Sequence, residues 1–237
     1  MENKEKFVWK LFNTIAPSYD LLNTLLSFGH HFWWKKKAVK ILDLKDGERI
    51  IDLCGGTGDL AILAAKDIQG KGRVFLYDFS RPMMLKGKEK IKKKLKNVEI
   101  YFIQGNATEI SSGPEKFDAV LIGFGLRNLA DMQKGIGEIY RVLKPGGKFV
   151  ALEFSQPQKK WFKLIYDLYS FYIIPWVGMV ISGSKEAYIY LPLSIKAFPK
   201  PEEIKNLLEE VGFEEVNYYP LTKGVAVVYR AIKPSFI

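Results

Sequence analysis

Residues 49–59 read R-I-I-D-L-C-G-G-T-G-D, and this stretch decides the fold class. Within it, the apolar run Ile50 to Leu53 predicts a buried strand of a parallel sheet. The glycines of residues 55–58 then predict a tight turn, and Leu60 to Ile68 predicts a helix. Glycine permits a positive φ and lets a ligand lie against bare backbone, and a helix begins with unpaired N–H groups. The stretch therefore predicts either an ordinary strand–turn–helix connection or a nucleotide-like cofactor at the carboxyl end of a doubly wound sheet.

The end of the second predicted strand helps to decide between cofactors. That strand runs from Arg73 to Tyr77 and is followed by Asp78, an acid that can accept hydrogen bonds from both ribose hydroxyls. NAD-binding folds share the acid, but the loop is not G-x-G-x-x-G. It reads D-x-C-G-G-T-G and resembles the D-x-G-x-G-x-G loop of S-adenosylmethionine (SAM) methyltransferases, with Cys54 in place of the first glycine. Because cysteine is small, we expect the turn to survive, and SAM lacks the pyrophosphate that would need a cluster of N–H donors.

Predicted strands and helices alternate from residue 47 onward, which indicates an α/β fold with a doubly wound, mostly parallel sheet and right-handed crossovers. The later strands are predicted at Val98–Ile103, Phe117–Ile122 and Lys148–Phe154, followed by a closing hairpin of Glu214–Thr222 and Val225–Ile232. Further helices are predicted after Ser80, at Asp131–Leu143 and at Glu202–Val211. We expect one domain over residues 1–237, with an N-terminal helical cap over 1–46 and a helical insertion over 157–197.

The composition limits the class of protein. The chain has 237 residues, 48% of them hydrophobic, and a net charge of +10 with one cysteine and two histidines. One cysteine excludes an internal disulfide, and with so few thiols and imidazoles we predict no metal site. The chain begins with no apolar signal segment, which predicts a cytoplasmic protein. A basic chain suits nucleic acid or an anionic membrane surface, although the lysines of residues 86–96 are interpreted as a solvated helix face.

Two apolar segments lie outside the strand–helix alternation. Residues 157–183 are too aromatic for an ordinary surface helix, but a transmembrane span needs about 20 continuous apolar residues. Lys163, Asp167 and Pro175 interrupt the segment, so we expect no span. A wall for a large apolar ligand, an interfacial helix and plain core packing stay open. Residues 28–37, aromatics followed by lysines, are typical either of a membrane interface or of a core helix with a solvated end.

Three positions near the predicted strand ends are candidate ligand contacts. Met83 lies at the start of the helix after Ser80, where it would cover an adenine or pack in the core. Asn106 follows the third strand, where a polar side chain can hydrogen-bond an adenine. Arg127 lies just past the fourth strand, where open α/β sheets place their ligands.

Several blocks together resemble the menaquinone and ubiquinone biosynthesis C-methyltransferases, which are class I SAM-dependent methyltransferases. The blocks are F-N-T-I-A-P-S-Y-D-L-L-N at 12–23, residues 26–36 with Ser27, Gly29, His31 and Trp34 matching, G-G-T-G-D at 55–59, F-G-L-R-N at 124–128, Y-R-V-L-K-P-G-G-K at 140–148, L-E-F-S at 152–155 and S-G-S-K-E-A-Y-I-Y-L-P-L-S-I at 182–195. The resemblance covers nearly the whole chain. It implies that the last two strands form an antiparallel pair.

The loop and the resemblance together predict the cofactor and its contacts. The cofactor is SAM, and the predicted contacts are Asp52, Gly55, Gly56, Thr57, Gly58, Asp78, Met83, Asn106, Ala107 and Gly123. At position 123 the family often has a serine that touches the cofactor, so this chain departs from the family there.

The family's substrate is a polyprenylated quinol that is methylated on a ring carbon, and this implies roles for further residues. A phenol resembles tyrosine, with a pKa of about 10, and its anion is the stronger nucleophile. Arg127 would stabilise that anion and Asn128 would orient the hydroxyl. His31 is a candidate general base by its intrinsic pKa, with Asp20, Tyr19 and Tyr188 as competitors. A purely structural role for His31 also stays open.

The long tail of such a quinol would explain the aromatic insertion and a membrane-facing mouth. We therefore expect a cytoplasmic enzyme on the inner face of the cell membrane, with no nucleic-acid partner. Three rivals stay open: a SAM methyltransferase of a sterol or a phenol oxygen, an RNA methyltransferase or nucleic-acid binder, and a membrane-associated scaffold without activity. The ring type of the quinol, its tail length and a homo-oligomeric state are also open.

Overall fold

A seven-stranded sheet in the order β3-β2-β1-β4-β5-β7-β6 organises the structure, a computed structural model. It describes residues 2–95 and 98–235, with the backbone alone for residues 2 and 3. The strands are β1 (Arg49–Leu53), β2 (Arg73–Asp78), β3 (Ile100–Gln104), β4 (Phe117–Gly123), β5 (Leu143–Phe154), β6 (Glu214–Leu221) and β7 (Ala226–Ile232). β1 to β5 are parallel, whereas β7 pairs antiparallel with both β5 and β6. The predicted α/β class and the antiparallel closing pair are confirmed.

Ten α-helices accompany the sheet in the described part of the chain. They are α1 (Glu2–Ile15), α2 (Tyr19–Leu26), α3 (His30–Leu42), α4 (Asp59–Asp67), α5 (Arg81–Lys94), α6 (Met132–Val142), α7 (Lys160–Leu168), α8 (Ile174–Ser182), α9 (Lys185–Ala197) and α10 (Pro201–Val211). The prediction that a helix follows Ser80 is confirmed, because the Ser80 side chain accepts a hydrogen bond from the Met83 N–H at the start of α5.

The alternation of the strands divides the core between two layers of helices. Ile50 of β1 packs with α3, α4 and α5 on one face of the sheet, and Ile51 packs with α6 and α10 on the other. A third cluster joins α1 and α2 to α8 and α9 through Leu22, Ile174 and Tyr188. The segments predicted as an N-terminal cap and a helical insertion therefore pack against each other beside the sheet.

Two sequence predictions about local structure need correction. β5 begins at Leu143, not at Lys148, because Leu143 already pairs with Phe117 of β4. The register between the two strands then shifts, and the residues of the K-P-G-G turn lie at this irregularity. The lysines of α5 are not all solvated: Lys86 donates to the carbonyl of Ala16, and Lys90 forms partly buried ion pairs. Lys96, the end of that predicted face, lies outside the described residues.

Residues 160–182 form one uninterrupted helical stretch, in which a π-helical segment (Tyr169–Ile173) joins α7 to α8. Pro175 does not break it, since proline is tolerated in the first turn of a helix. By length and composition alone, Lys160–Ser182 could cross a membrane, with a mean hydropathy of 1.5 in its most apolar window. Soluble helices also meet this criterion, so the expectation that no segment spans the membrane stays a prediction.

Candidate functional site

A cavity of about 930 Å³, partly open to solvent, lies at the carboxyl ends of the central strands. Nine of the ten predicted cofactor contacts line it; they are Asp52, Gly55, Gly56, Thr57, Asp78, Met83, Asn106, Ala107 and Gly123. Gly58 does not line it. It precedes α4 with φ +79°, and a Cβ there would meet Ile91 and Leu76 of the core. The structure thus places Gly58 in the turn and not in the cavity wall.

The glycine loop keeps its turn although Cys54 replaces a glycine. Cys54 has φ +53°, a left-handed conformation that costs a residue with a Cβ about 1–2 kcal/mol. The N–H of Gly55 donates to the carbonyl of Tyr77, and the N–H of Gly58 donates to the carbonyl of Gly55. The expected tight turn is present, with some backbone strain at Cys54.

Asp78 is buried at the end of β2 and holds the glycine loop. Its Oδ2 accepts from the Gly56 N–H at 2.8 Å, and its Oδ1 accepts from the Ser80 N–H at 2.7 Å. Burial raises the pKa of this carboxyl to about 6, although the backbone N–H groups act to lower it. Each oxygen can accept a further hydrogen bond from a ligand hydroxyl.

Asp52, at the end of β1, tests whether the cavity fits a cationic cofactor. Its Oδ2 accepts from the Ala61 N–H at 2.9 Å, while its Oδ1 is buried without a hydrogen-bond partner among the described residues. Burial raises the pKa of Asp52 to about 8, and Asp78 adds to this effect. A ligand with a positive group would give this carboxylate the missing hydrogen-bond donor and a compensating charge. SAM carries a sulfonium and an ammonium, so the residues fit it.

Gly123 lies where the family often has serine, and the side chain of Leu60 occupies the space beside it. A Cβ at Gly123 would lie 2.6 Å from Cδ1 of Leu60, the second residue of α4. In this chain Leu60 therefore fills the space of that side chain, and position 123 offers backbone alone.

A network of charges beside the loop was not predicted from the sequence. Asp59, the first residue of α4, pairs with Lys35 at 2.8 Å and with Lys90 at 2.9 Å. Burial acts to raise the pKa of Asp59, but the two lysines hold it well below its usual range. Thr57 Oγ1 donates to Asp20 Oδ1 at 2.6 Å, and Lys90 also pairs with Asp20. The network ties α2, α3 and α5 to the loop.

The first helix covers the main cavity. Glu5, Val8 and Phe12 of α1 line it, and the Asn106 side chain donates to Glu5 Oε1 at 2.9 Å. Lys4 Nζ donates to the carbonyl of Leu129 at 2.6 Å. α1 is therefore fastened on both sides of the cavity by polar contacts.

A second cavity of about 490 Å³ adjoins the first. Phe12, Tyr19 and Phe124 line both, and Arg127 and Tyr188 line the second. The structure therefore brings two of the predicted catalytic residues to one place, and Phe12, Tyr19 and Phe124 form its boundary with the main cavity.

Arg127 is held by a buried acid that the sequence did not single out as its partner. Its guanidinium Nη1 lies 2.5 Å from Glu153 Oε1, and the two side chains are 6% and 0% exposed. The same nitrogen donates to the carbonyl of Phe124 at 2.7 Å, while Nε has no partner among the described residues. The guanidinium thus has a fixed orientation and an unused donor.

The predicted residues Asn128 and Tyr188 take different positions. Asn128 lines the main cavity; its Nδ2 donates to the carbonyl of Phe124, and its Oδ1 accepts from the Tyr190 hydroxyl at 3.1 Å. Burial raises the pKa of Tyr188 well above its usual value, and Tyr19 adds to the effect. At neutral pH Tyr188 is therefore a hydrogen-bond donor and not a phenolate base.

His31 lies in a third cavity of about 880 Å³, whose wall is mostly apolar. Phe124 and Leu191 line both this cavity and the second one. His31 Nε2 is 3.2 Å from Thr24 Oγ1, and its Nδ1 is buried without a partner among the described residues. Burial, and then Lys35, lower the pKa of His31 to about 4. This makes it a weak base, and it does not line the main cavity.

The amino-acid sequence was compared with those of known proteins. The model of the ubiE/COQ5 methyltransferase family matches residues 1–233. The chain is 39% identical to the ubiquinone/menaquinone biosynthesis C-methyltransferase UbiE of Haemophilus ducreyi, over 98% of this chain and 90% of that protein. It is 41% identical to the UbiE of Blochmanniella floridana, over 97% of this chain and 91% of that protein.

Solved structures share the fold at lower identity. A SAM-dependent methyltransferase of Aquifex aeolicus superposes with a TM-score of 0.59 at 20% identity, over 84% of this chain and 88% of that one. The [4+2]-cyclase SpnF superposes with a TM-score of 0.73 at 15% identity, over 98% and 97%. Because one of the two is named as a cyclase, the fold by itself does not give the reaction.

Proposed function

The chain belongs to the ubiE/COQ5 methyltransferase family, and from that premise we propose that it transfers a methyl group from SAM to a ring carbon of a polyprenylated quinol in ubiquinone or menaquinone biosynthesis. The observation that carries the proposal is the way in which the main, second and third cavities adjoin one another. The main cavity shares Phe12, Tyr19 and Phe124 with the second, and the second shares Phe124 and Leu191 with the third. A cofactor, an aromatic ring and an apolar tail each have a compartment in this series.

The main cavity is the proposed cofactor site. SAM supplies an electrophilic methyl group on a cationic sulfur. Asp78 accepts hydrogen bonds from the ribose hydroxyls, and Asp52 Oδ1 accepts from a cationic group. Gly55, Gly56 and Gly123 admit the ligand against bare backbone. Thr57, Met83, Asn106 and Ala107 complete the proposed contacts, and Gly58 shapes the turn.

The second cavity is the proposed place of the quinol ring. Arg127 stabilises the phenolate charge, and its pairing with Glu153 fixes the guanidinium before the substrate arrives. Asn128, which lines the adjoining main cavity, is oriented by the hydroxyl of Tyr190. Tyr188 donates a hydrogen bond to the same anion. We assign the proton acceptor to neither Tyr188 nor His31, because the pKa of one is raised and that of the other is lowered.

The third cavity is the proposed tail site, and its mouth is the proposed membrane contact. Phe28 and Tyr169 line it, with their rings 5.7 Å apart at the junction of the α2–α3 turn and the π-helical segment. The same elements, α2, α3 and residues 161–181, carry further exposed apolar side chains; they include Leu25, Phe32, Trp33, Trp161, Leu164, Leu168, Tyr172 and Trp176. The exposed lysines 36–37 and 159–160 flank these stretches. Such a surface suits the interface of an anionic membrane.

The remaining proposals follow from these three sites. We propose a single domain over residues 1–237 in which residues 1–46 cover the cofactor and residues 157–197 line the substrate. The protein works in the cytoplasm against the inner face of the cell membrane, without a nucleic-acid partner.

Methyl transfer to two quinols tests the proposed function. The protein is incubated with labelled SAM and with demethylmenaquinol or the benzoquinol precursor, and the products are resolved separately. We expect the label on a ring carbon of at least one quinol. The matched control is the oxidised quinone, which has no hydroxyl to ionise and should stay unmethylated. Labelling of neither quinol, or labelling of an oxygen, would contradict the proposal.

A further inference from the structure

The main cavity has one cation in its wall. Among the described residues that line it, four side chains are acidic: Glu5, Asp52, Asp59 and Asp78. Of these described lining residues, Lys35 is the single basic one. A ligand with charges of both signs therefore finds several partners for its positive groups and one for a negative group.

Lys35 is built into this position. It lies in the second turn of α3, its side chain is 8% exposed, and its Nζ is 2.8 Å from Asp59 Oδ2 and 6.0 Å from the centre of the Phe124 ring. An ammonium group has three protons. Within the described part of the chain, Asp59 is the one hydrogen-bond acceptor within reach of this nitrogen. Protons of the Lys35 ammonium are therefore left for a ligand.

Lys90 shows that Asp59 does not depend on Lys35 alone. Lys90 Nζ lies 2.9 Å from Asp59 Oδ1 and also 2.9 Å from Asp20 Oδ2, so it bridges two carboxylates. Its side chain is nearly as buried, at 14% exposure, but it does not line the cavity. Two lysines thus share one carboxylate, and one of them faces the cavity.

We propose that Lys35 binds the α-carboxylate of the methionyl part of the cofactor and so makes the site selective for nucleosides that carry the amino acid. This inference rests on the proposed function, because it takes SAM as the ligand of the main cavity. The carboxylate would lie beside the N-terminal end of α4, where the helix dipole also favours an anion. Asp52, whose Oδ1 is buried without a partner among the described residues, serves the neighbouring α-ammonium.

Calorimetric titration with three ligands tests the inference. S-adenosylhomocysteine has the amino-acid group, its decarboxylated form has the ammonium alone, and 5′-methylthioadenosine has neither. Lys35→Met keeps the length of the side chain and removes its charge. We expect it to bind S-adenosylhomocysteine roughly 10- to 100-fold more weakly, since hydrogen bonds between charged groups are the strong ones. Binding of methylthioadenosine should change by less than about twofold.

The wild-type protein should bind S-adenosylhomocysteine more tightly than its decarboxylated form by the same factor. Lys35→Met should abolish that difference in affinity. Lys90→Met is the matched control. It also breaks an ion pair with Asp59, and it should change the affinities for all three ligands by the same factor. If Lys35→Met does not fold, Lys35→Arg keeps the cation and should keep the selectivity.

Three results would overturn the inference. Lys35→Met could weaken the binding of all three ligands equally, or it could leave the binding of S-adenosylhomocysteine unchanged. The wild-type protein could also bind S-adenosylhomocysteine and its decarboxylated form with equal affinity. A failure of the proposed function is a separate result, because it would show as absent quinol methylation in the wild-type protein.

Discussion

The wall of the main cavity and the wall of the other two cavities are built by different means. At the glycine loop, short hydrogen bonds from backbone N–H groups hold Asp52 and Asp78 at 2.7–2.9 Å. Around the second and third cavities, the lining is mostly aromatic and aliphatic side chains of α1, α2, α3 and residues 160–197, with few charged groups, among them Arg127. The first wall presents charges to a polar ligand, and the second excludes water around a ring and a tail.

This contrast predicts that Arg127 matters for the methyl acceptor and not for the cofactor. Arg127→Met should lower quinol turnover by about 10²–10³ and leave SAM affinity unchanged, because a preorganised donor to the developing charge is lost. Arg127→Lys should also be impaired, since it loses the planar fork. The measurement pairs quinol turnover with SAM affinity.

Stability has to be separated from catalysis in that experiment. Removing Arg127 alone leaves the buried charge of Glu153 uncompensated, which costs about 3–5 kcal/mol. The double variant Arg127→Met with Glu153→Gln removes that charge and should regain stability without regaining turnover. Recovery of turnover with stability would show that Arg127 is a structural residue.

The two walls also differ in how far the sequence predicts them. The strand, turn and helix of residues 49–68 are local in the chain, so their order already predicts a cavity and four of its wall residues, Asp52, Gly55, Gly56 and Thr57. The other wall depends on contacts between distant segments. Tyr169 reaches the carbonyl of Leu26 across 143 residues, and Tyr190 reaches Asn128 across 62. No local pattern encodes such pairs.

Buried charges are the second kind of feature that local patterns missed. Lys35 and Lys90 lie in lysine-rich stretches, and lysine in such a stretch usually points to solvent. Their burial follows from Asp59, which meets both lysines when α3, α4 and α5 pack on one face of the sheet. Glu153 was visible in its strand, but its pairing with Arg127 needed the neighbouring position of β4 and β5.

The walls should respond to pH with opposite sign, and His31 is the titrating group of the apolar wall. Its folded pKa, about 4, lies below the value of about 6.5 expected for an unfolded chain. Between these values the unfolded chain binds a proton that the folded protein does not. This part of the stability is present above pH 6.5 and is lost as the pH falls towards 4. Asp52 and Asp78 have raised pKa values in the folded protein. Their contribution to stability is instead lost as the pH rises from about 4 to 8.

Urea unfolding between pH 4.5 and 7 checks this, for the wild type and for His31→Gln. The contributions of the two aspartates cancel in the difference, which should shrink as the pH falls. The exposed His30→Gln controls for the loss of a histidine. A difference independent of pH would contradict the shifted pKa of His31.

Asp78 gives the next prediction, now for the cofactor alone. Asp78→Ala removes the acceptor of the ribose hydroxyls and should weaken SAM by about 1.5–3 kcal/mol for each lost hydrogen bond. Asp118→Ala is the matched control, because Asp118 also accepts from a backbone N–H, that of Arg49, at 2.8 Å, but lies at the opposite end of the sheet. Calorimetry on both folded variants should show a loss for Asp78 alone; equal SAM affinities would remove Asp78 from the cofactor site.

The smallest expected effect concerns the proposed membrane surface, and it has a well-matched pair of leucines. Leu164 of α7 is 64% exposed within the proposed membrane surface, and Leu85 of α5 is 55% exposed outside it. Leu164→Glu adds a negative charge and removes an apolar side chain that membrane contact would bury, so it should weaken binding to anionic vesicles by about 1.5–3 kcal/mol at most. Leu85→Glu makes the same chemical change and should leave vesicle binding close to that of the wild type. Co-sedimentation with anionic vesicles at low and high salt measures both. If the two variants lose binding equally, the attraction comes from net charge alone, and the aromatic insertion is not the membrane contact.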